Sequence, residues 1–309
     1  MQLKKNFPLA QITTFKLGGP ARFYFKTTKP EEVVAGIISA REKNLPYYLI
    51  AGGSNTVFSD QGFTGLVIHF QKNKISDEGV IFSGQRVVVS TGINLSKFVE
   101  ITCRQSLAGL EKLAGIPGCV GGAVVGNAGA YGEYLGDVVE WVEVFDGERI
   151  RRIKKSDCGF AYRQSIFKKS DWFVIKACLK LKKGEAKKLV AEAEQITKMR
   201  WQKFGRHPVC AGSFFKNVEV AKLSPEILKK IDQTKIVSKQ IPVGYLLGEA
   251  TKNKKLKVGG IEMASFHNNF LLNDGTGTTK DLLTLAKKLK ALVHRKFGIE
   301  LEEEVRFVL

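Results

Sequence analysis

The stretch LAGIPGCVGGAVVGNAGAYG (Leu113–Gly132) holds seven glycines and restricts the fold more than any other part of the chain. It is too apolar for a flexible linker, whose glycines would come with serine. A run so poor in side chains has two readings. It is either a tight cluster of internal turns or backbone laid against a large flat ligand, where side chains would intrude. A second glycine turn lies upstream in AGGSNTVFSD (Ala51–Asp60), where a short apolar strand runs into Gly-Gly-Ser-Asn. Consecutive backbone N–H groups there suit a phosphate, although a plain turn serves as well. The spacing matches neither G-x-x-x-x-G-K-[ST] nor G-x-G-x-x-G.

Around these turns the apolar periodicity switches between strand and helix. PARFYFKTT (Pro20–Thr28), the run from Tyr47 into the first glycine turn and TGLVIHF (Thr64–Phe70) have strand character. PEEVVAGIISAREKN opens with Pro30 and two glutamates, as a helix start does, and Val33, Val34, Ile37 and Ile38 share one apolar face. GVIFSG, RVVVSTG, DVVEWVEVFDGERI and DWFVIKACLKL read as strands, with Asp146-Gly147 as a hairpin signal. Helices are expected from about Asn94, over 185–203, and through Leu282, Leu285, Ala286, Leu289, Leu292, Val293 and Phe297 to a Gly298 cap. VRFVL closes the chain as a strand. The class is α+β, expected as three domains at 1–70, 71–204 (with the connecting helix) and 205–309.

Composition narrows the function classes. No stretch approaches the ~20 apolar residues that span a bilayer, and MQLKKNFPLAQITTF lacks the features of a secretory signal. The expected location is cytoplasmic, with no membrane partner. Five cysteines, widely spaced and without a C-x-x-C pair, argue against a zinc site or a disulfide framework, so no metal is expected. A net charge of +19 invites a nucleic-acid reading. The basic residues are dispersed, however, with no arginine-rich tail. No nucleic-acid partner is expected, and a basic field that attracts anionic small molecules fits the balance.

Three stretches, TTFKLGGPARFYFK, AGGSNTVFSD and GIPGCVGGAVVGNAGAYG, resemble in this order the FAD-binding half of the UDP-N-acetylenolpyruvoylglucosamine reductases. YRQSIFK, AGSFFKN, GGIEMASFHNNFLLN and FGIELEEEVRF resemble the remaining signature stretches of that family, so the likeness runs from about residue 13 to 308. It implies a two-part FAD-binding module of the vanillyl-alcohol-oxidase/PCMH type, followed by an α+β substrate-binding domain. The cofactor would be FAD held without a covalent bond, and NADPH the hydride donor. The partners would be NADPH and UDP-N-acetylenolpyruvoylglucosamine, with no obligate protein partner. The reaction would give UDP-N-acetylmuramate for peptidoglycan.

The resemblance also implies site residues. Flavin contacts would come from Gly52, Gly53, Ser54, Asn55 and Thr56, and from Gly115, Pro117, Gly118, Gly121, Gly122, Ala123, Asn127, Gly129 and Ala130. Hydride addition at C3 of an enolpyruvyl ether builds charge on the carboxylate, which calls for fixed positive or hydrogen-bonding groups; a positioned acid must then protonate C2. Arg163 matches the family's catalytic arginine, Glu304 its catalytic glutamate and Ser213 its proton donor. Tyr131, Tyr162, Lys216, Asn217, His267 and Arg306 stand at positions that imply contacts to the sugar nucleotide.

Three departures from the family pattern stand out. Cys119 replaces the usual hydroxyl residue after I-P-G, and Phe266-His267-Asn268-Asn269 replaces a Lys-His-Ala-Asn run. A lysine-rich stretch at 218–242 replaces a more compact connection, and the chain looks closer to the insertion-free subtype.

Overall fold

The computed structural model describes residues 2–72, 79–206 and 208–309. Backbone contacts gather the chain into two compact units. The first takes the chain up to Phe7, Ala21–Gly52 and Thr64–Arg206; the second takes Pro8–Pro20, Gly53–Phe63 and the chain beyond Arg206. These units do not follow the sequence spans 1–70, 71–204 and 205–309, because two short N-terminal segments group with the C-terminal third.

The first unit holds two sheets. The four-stranded sheet runs Lys4–Pro8, Pro20–Thr27, Phe63–Phe70, Tyr47–Ile50, with Tyr47 opposite Leu66 and Ile50 opposite His69 in a parallel pair. A parallel pair needs a crossover connection, and this one sets out at the Gly52-Gly53 turn. The helix Pro30–Glu42 buries Val33, Gly36, Ile37 and Ala40, while Ile38 is 41% exposed. The expected apolar face is thus rotated. A Cβ at Gly36 would lie 2.7 Å from the Phe25 ring, so the helix packs on its glycine line, and Ile38, about 100° past Ile37, turns outward.

The second sheet is antiparallel throughout, in the order Ile150–Lys154, Val139–Phe145, Phe173–Lys180, Arg86–Ser90, Val80–Ser83. The hairpin at Asp146-Gly147 forms as its sequence predicts, with Asp146 Oδ1 accepting from the N–H groups of Glu148 and Arg149 at 3.0 Å. Phe145, Phe173 and Ile175 of this sheet join Phe25, Ile68 and Phe70 of the first in one apolar cluster, and Phe70 meets Phe173 edge-on at 5.2 Å. The sheets share that layer, which makes them one unit. A larger cluster packs the helices Leu95–Arg104, Val120–Val125 and Ala186–Phe204 on the second sheet. The first of these starts where its sequence predicts, with Asn94 Oδ1 capping the Lys97 N–H at 3.1 Å.

The second unit holds the three-stranded sheet Lys257–Val258, Ile261–Met263, Leu271–Asn273, with the helices Val243–Thr251 and Thr279–Phe297. VRFVL forms the strand Arg306–Val308, parallel to Thr56–Phe58. The long helix ends at Gly298 in a left-handed cap, as expected. In the lysine-rich stretch Val218–Glu219 pairs antiparallel with Gln240–Ile241, and Ser224 caps a single turn at Pro225–Leu228. No helix of the described residues is long and apolar enough to cross a membrane.

Candidate active site

In the first unit the glycine-rich block comes against the first glycine turn. A Cβ on Gly52 would stand 2.6 Å from the Gly118 Cα, so only bare backbone permits this approach. Gly122, at the start of the short helix Val120–Val125, is exposed, and a Cβ there would meet nothing within 4 Å. Between these positions the block therefore answers to both sequence readings: its close approaches are turn packing, and Gly122 presents bare backbone to open space. Pro117 is exposed, whereas Ala123 and Gly129 are buried in the block. Cys119 is also buried, and burial pushes its thiol up to about 11, so it stands as a neutral thiol at neutral pH. The exposed backbone at Gly122 leaves room for a planar cofactor such as FAD to lie against it.

Asn127 ties this block to the arginine motif. Its Nδ2 donates to the Ala161 carbonyl at 2.8 Å, and its Oδ1 accepts from the Gly136 N–H at 2.9 Å. The predicted flavin ligand is thus a buried staple whose amide is taken up by backbone. It fixes the turn closed by Ala161 and Gln164, in which Tyr162 and Arg163 sit. Arg163 has φ of 55° and Tyr131 φ of 53°. Both are left-handed positions that a side chain rarely adopts, and such strain gathers at functional sites. Gly129 and Ala130 pair with Tyr134 and Glu133 in a small hairpin, with Tyr131 at its tip, 58% exposed. The Tyr134 ring meets Tyr162 edge-on at 6.4 Å, and the Arg163 guanidinium lies over Tyr162 at 5.8 Å. Tyr131 thus lies at the tip of the hairpin whose Tyr134 meets Tyr162, beside Arg163.

In the second unit three separate motifs converge. Phe215 bridges antiparallel to Glu303, the Glu304 N–H donates to the Phe214 carbonyl at 2.8 Å, and the Lys216 N–H donates to the Glu302 carbonyl at 2.9 Å. Ser213 bridges to Phe270 on the other side. The segment carrying Ser213 is thus held between the segments carrying Glu304 and His267. Glu302 pairs with Lys216, and Glu303 with Lys290 at 3.0 Å. Asn55 donates to the Glu304 carbonyl at 3.1 Å and accepts from the Arg306 N–H at 3.0 Å, bracketing this segment. Gly53 has φ of 60°, and a Cβ on it would clash with the Ile12 carbonyl at 1.9 Å; that local packing requires its glycine. Ser54 is half-buried and Thr56 opens the strand beside Arg306.

His267 Nδ1 accepts from the Asn269 N–H at 3.1 Å, which leaves the proton of a neutral ring on Nε2. Asn217 Oδ1 accepts from the Val243 N–H at 3.2 Å, at the start of the helix Val243–Thr251. Two residues that the sequence reading passed over prove structural. Asn269 holds Phe215 through both ends of its amide, and Asp60 caps the long helix by accepting from the N–H groups of Thr279 (2.8 Å) and Lys280 (3.1 Å). The T-x-x-D box at Thr278 and Asp281 was a readable signal for that helix start; nothing local signals Asp60, which acts across 219 positions. Among the described residues no cluster of His, Cys, Asp and Glu could hold a metal, and all five cysteines are free and buried.

Comparison with known proteins agrees with this arrangement. Residues 21–149 match a domain family described as an FAD binding domain, and residues 202–308 match the C-terminal domain of UDP-N-acetylenolpyruvoylglucosamine reductase. The reductase of that name from Solibacter usitatus is 38% identical, covering 100% of this chain and 97% of its own length. That from Caldanaerobacter subterraneus is 30% identical, covering 99% of this chain and 94% of its own. The crystal structure of the reductase from Thermus caldophilus superposes with a TM-score of 0.74 at 28% identity, over 100% of this chain and 98% of that one. With the glycine face in one unit and the paired Ser213 and Glu304 segments in the other, this chain belongs to the UDP-N-acetylenolpyruvoylglucosamine reductase family of FAD-dependent oxidoreductases.

Proposed function

We propose that the chain reduces UDP-N-acetylenolpyruvoylglucosamine to UDP-N-acetylmuramate with NADPH, and that Arg163, Ser213 and Glu304 carry the chemistry. FAD held by Gly52–Thr56 and the glycine-rich block would supply the hydride-transfer capacity that links NADPH to C3 of the enolpyruvyl ether. Arg163 holds the substrate carboxylate, whose charge grows as C3 gains the hydride; a guanidinium offers two parallel donors for this. Ser213 delivers a proton to C2 through its hydroxyl. Glu304 polarises the carboxylate and must be protonated, or bridged by a cation, to do so.

The observation that supports this reading is the antiparallel pairing of residues 214–216 with 302–304, which keeps Ser213 and Glu304 on neighbouring segments. Tyr131, Tyr162, Lys216, Asn217, His267 and Arg306 are proposed to hold the sugar nucleotide. Gly52–Thr56 and the glycine-rich block are proposed to hold FAD without a covalent bond. The division of the chain into cofactor-binding subdomains at 1–70 and 71–204 and a substrate-binding domain at 205–309, and a cytoplasmic location, belong to the same reading. The net charge of +19 favours encounter with the anionic nucleotides.

The visible spectrum of the purified protein tests the proposal. An oxidised-flavin spectrum should bleach with NADPH and recover anaerobically on adding the enolpyruvyl UDP-sugar. Bleaching without recovery would exclude this substrate.

A further inference from the structure

Arg200, on the helix Ala186–Phe204, is left out of every role described so far. Its side chain lies against the glycine-rich block: a Cβ on Gly115 would come 3.0 Å from the Arg200 Cδ. Its guanidinium stands over the Tyr131 ring at 5.5 Å, on the same hairpin whose Tyr134 meets Tyr162 next to Arg163. The Nε atom is buried and donates to no protein acceptor, and among the described residues no carboxylate pairs with this guanidinium. Burial draws the Arg200 guanidinium below its usual range; the Tyr131 hydroxyl opposes this, and the nearby Arg163 charge adds to the lowering. A partly desolvated arginine within the field of a second arginine is unfavourable for the protein alone. An anion beside them would reverse the balance.

We propose that Arg200 and Arg163 together form a two-guanidinium subsite for an anionic oxygen group, the carboxylate of the enolpyruvyl substrate. The assignment rests on the function proposed above, in which that carboxylate gains charge as the hydride arrives. Two delocalised cations suit a group moving from one negative charge towards two better than one cation does. The same fork chemistry fits a phosphate of FAD or NADPH, so the experiment separates these sources.

Arg200→Met keeps the stem that packs on Gly115 and removes the charge; Arg200→Lys keeps a charge without the fork. In the FAD-loaded Met variant, kcat/KM for the enolpyruvyl UDP-sugar should fall roughly 10²-fold, the usual effect of losing one oxyanion donor. The Lys variant should fall less. Flavin content and the rate of flavin reduction by NADPH should stay at wild-type values. The melting temperature of the substrate-free Met variant should be unchanged or higher, because a repulsion and a desolvated charge are gone. A lowered melting temperature with unaltered kcat/KM in both variants would make Arg200 a structural residue and overturn the proposal. A defect confined to flavin content or to the NADPH step would overturn it too, by assigning Arg200 to a cofactor phosphate. If the wild type does not turn over this sugar, the functional reading fails separately. Sulfate then serves as the probe: thermal stabilisation by sulfate that Arg200→Met loses and Lys198→Ala (same helix, exposed) retains would uphold the anion subsite, and equal shifts in both would end it.

Discussion

Asn269 closes a two-bond ring with the backbone of Phe215: its Oδ1 accepts the Phe215 N–H at 2.9 Å and its Nδ2 donates to the Phe215 carbonyl at 2.8 Å. Phe214 N–H completes the clamp by donating to the Asn269 carbonyl at 2.8 Å. The buried asparagine thus stands in for a missing strand and fixes the segment that begins at Ser213. Asn269→Ala would leave two buried peptide groups unpaired, at about 1–3 kcal/mol each. Chemical denaturation should show that loss, and Asn269→Asp, which keeps the acceptor but sets a buried carboxylate oxygen against the Phe215 carbonyl, should lose at least as much. The step that consumes the enolpyruvyl substrate should slow in both, with NADPH oxidation by the flavin unaffected.

Ser213 is proposed to act only after the hydride has left the flavin. Ser213→Ala should therefore accept hydride from NADPH at nearly the native rate and reoxidise slowly with substrate, by ~10²–10⁴-fold. Stopped-flow absorbance at the flavin band distinguishes the two half-reactions. Glu304→Gln should impair the same second step, by slowing formation of the intermediate rather than its protonation. A slow NADPH step with normal substrate turnover in Ser213→Ala would remove the serine from the mechanism.

Gly122 offers a single-residue test of the cofactor face. A Cβ at this position meets nothing within 4 Å beyond its own helix, so Gly122→Val should fold with the parent melting temperature when flavin-free. Its branched side chain would stand in the space proposed for FAD. Flavin-to-protein absorbance ratios after purification should drop, and acid precipitation of the wild type should release all its flavin to the supernatant.

Asp60 accepts from the first two N–H groups of the long helix, while Thr279 Oγ1 donates to the Phe58 carbonyl at 2.7 Å. Asp60→Ala removes a capping carboxylate and should destabilise the fold by about 0.5–2 kcal/mol. The loss should appear as a lower urea midpoint, with the slope of the transition unchanged.

His69 accepts or donates at Nδ1 to the Tyr24 hydroxyl, 2.9 Å away, and burial, helped by the Lys26 charge, lowers its pKa to about 4. The unfolded chain takes up this proton near the ordinary histidine value of 6.5, well before the folded chain does. Stability from this group is therefore present above about pH 6.5 and is lost as the pH falls towards 4. At about 1.4 kcal/mol per pKa unit the loss is on the order of 3 kcal/mol. Urea midpoints across that range should fall in the wild type and fall less in His69→Gln.

Much of this was readable from the chain. The strands and long helices follow from period-2 and period-3.6 patterns, and Asn94, Asp146-Gly147 and Gly298 act where their residue types predict, because caps and turns depend on a few consecutive residues. The motifs carrying Arg163, Ser213 and Glu304 were likewise visible as strings. Other features depended on partners distant in sequence. Ile38 faces outward because Gly36 sits on Phe25, and Gly53 is glycine because of the Ile12 carbonyl. Asn127, read as a flavin ligand, spends its amide on Ala161 and Gly136. Asn269 and Asp60 stand inside recognisable stretches and Arg200 outside them, but nothing next to any of the three in sequence shows its partner. Periodicity and capping are properties of neighbours along the chain, and sequence determines them directly. Which buried polar group finds a partner, and which cations come close enough to feel one another, is decided only when distant segments are packed together and water is excluded.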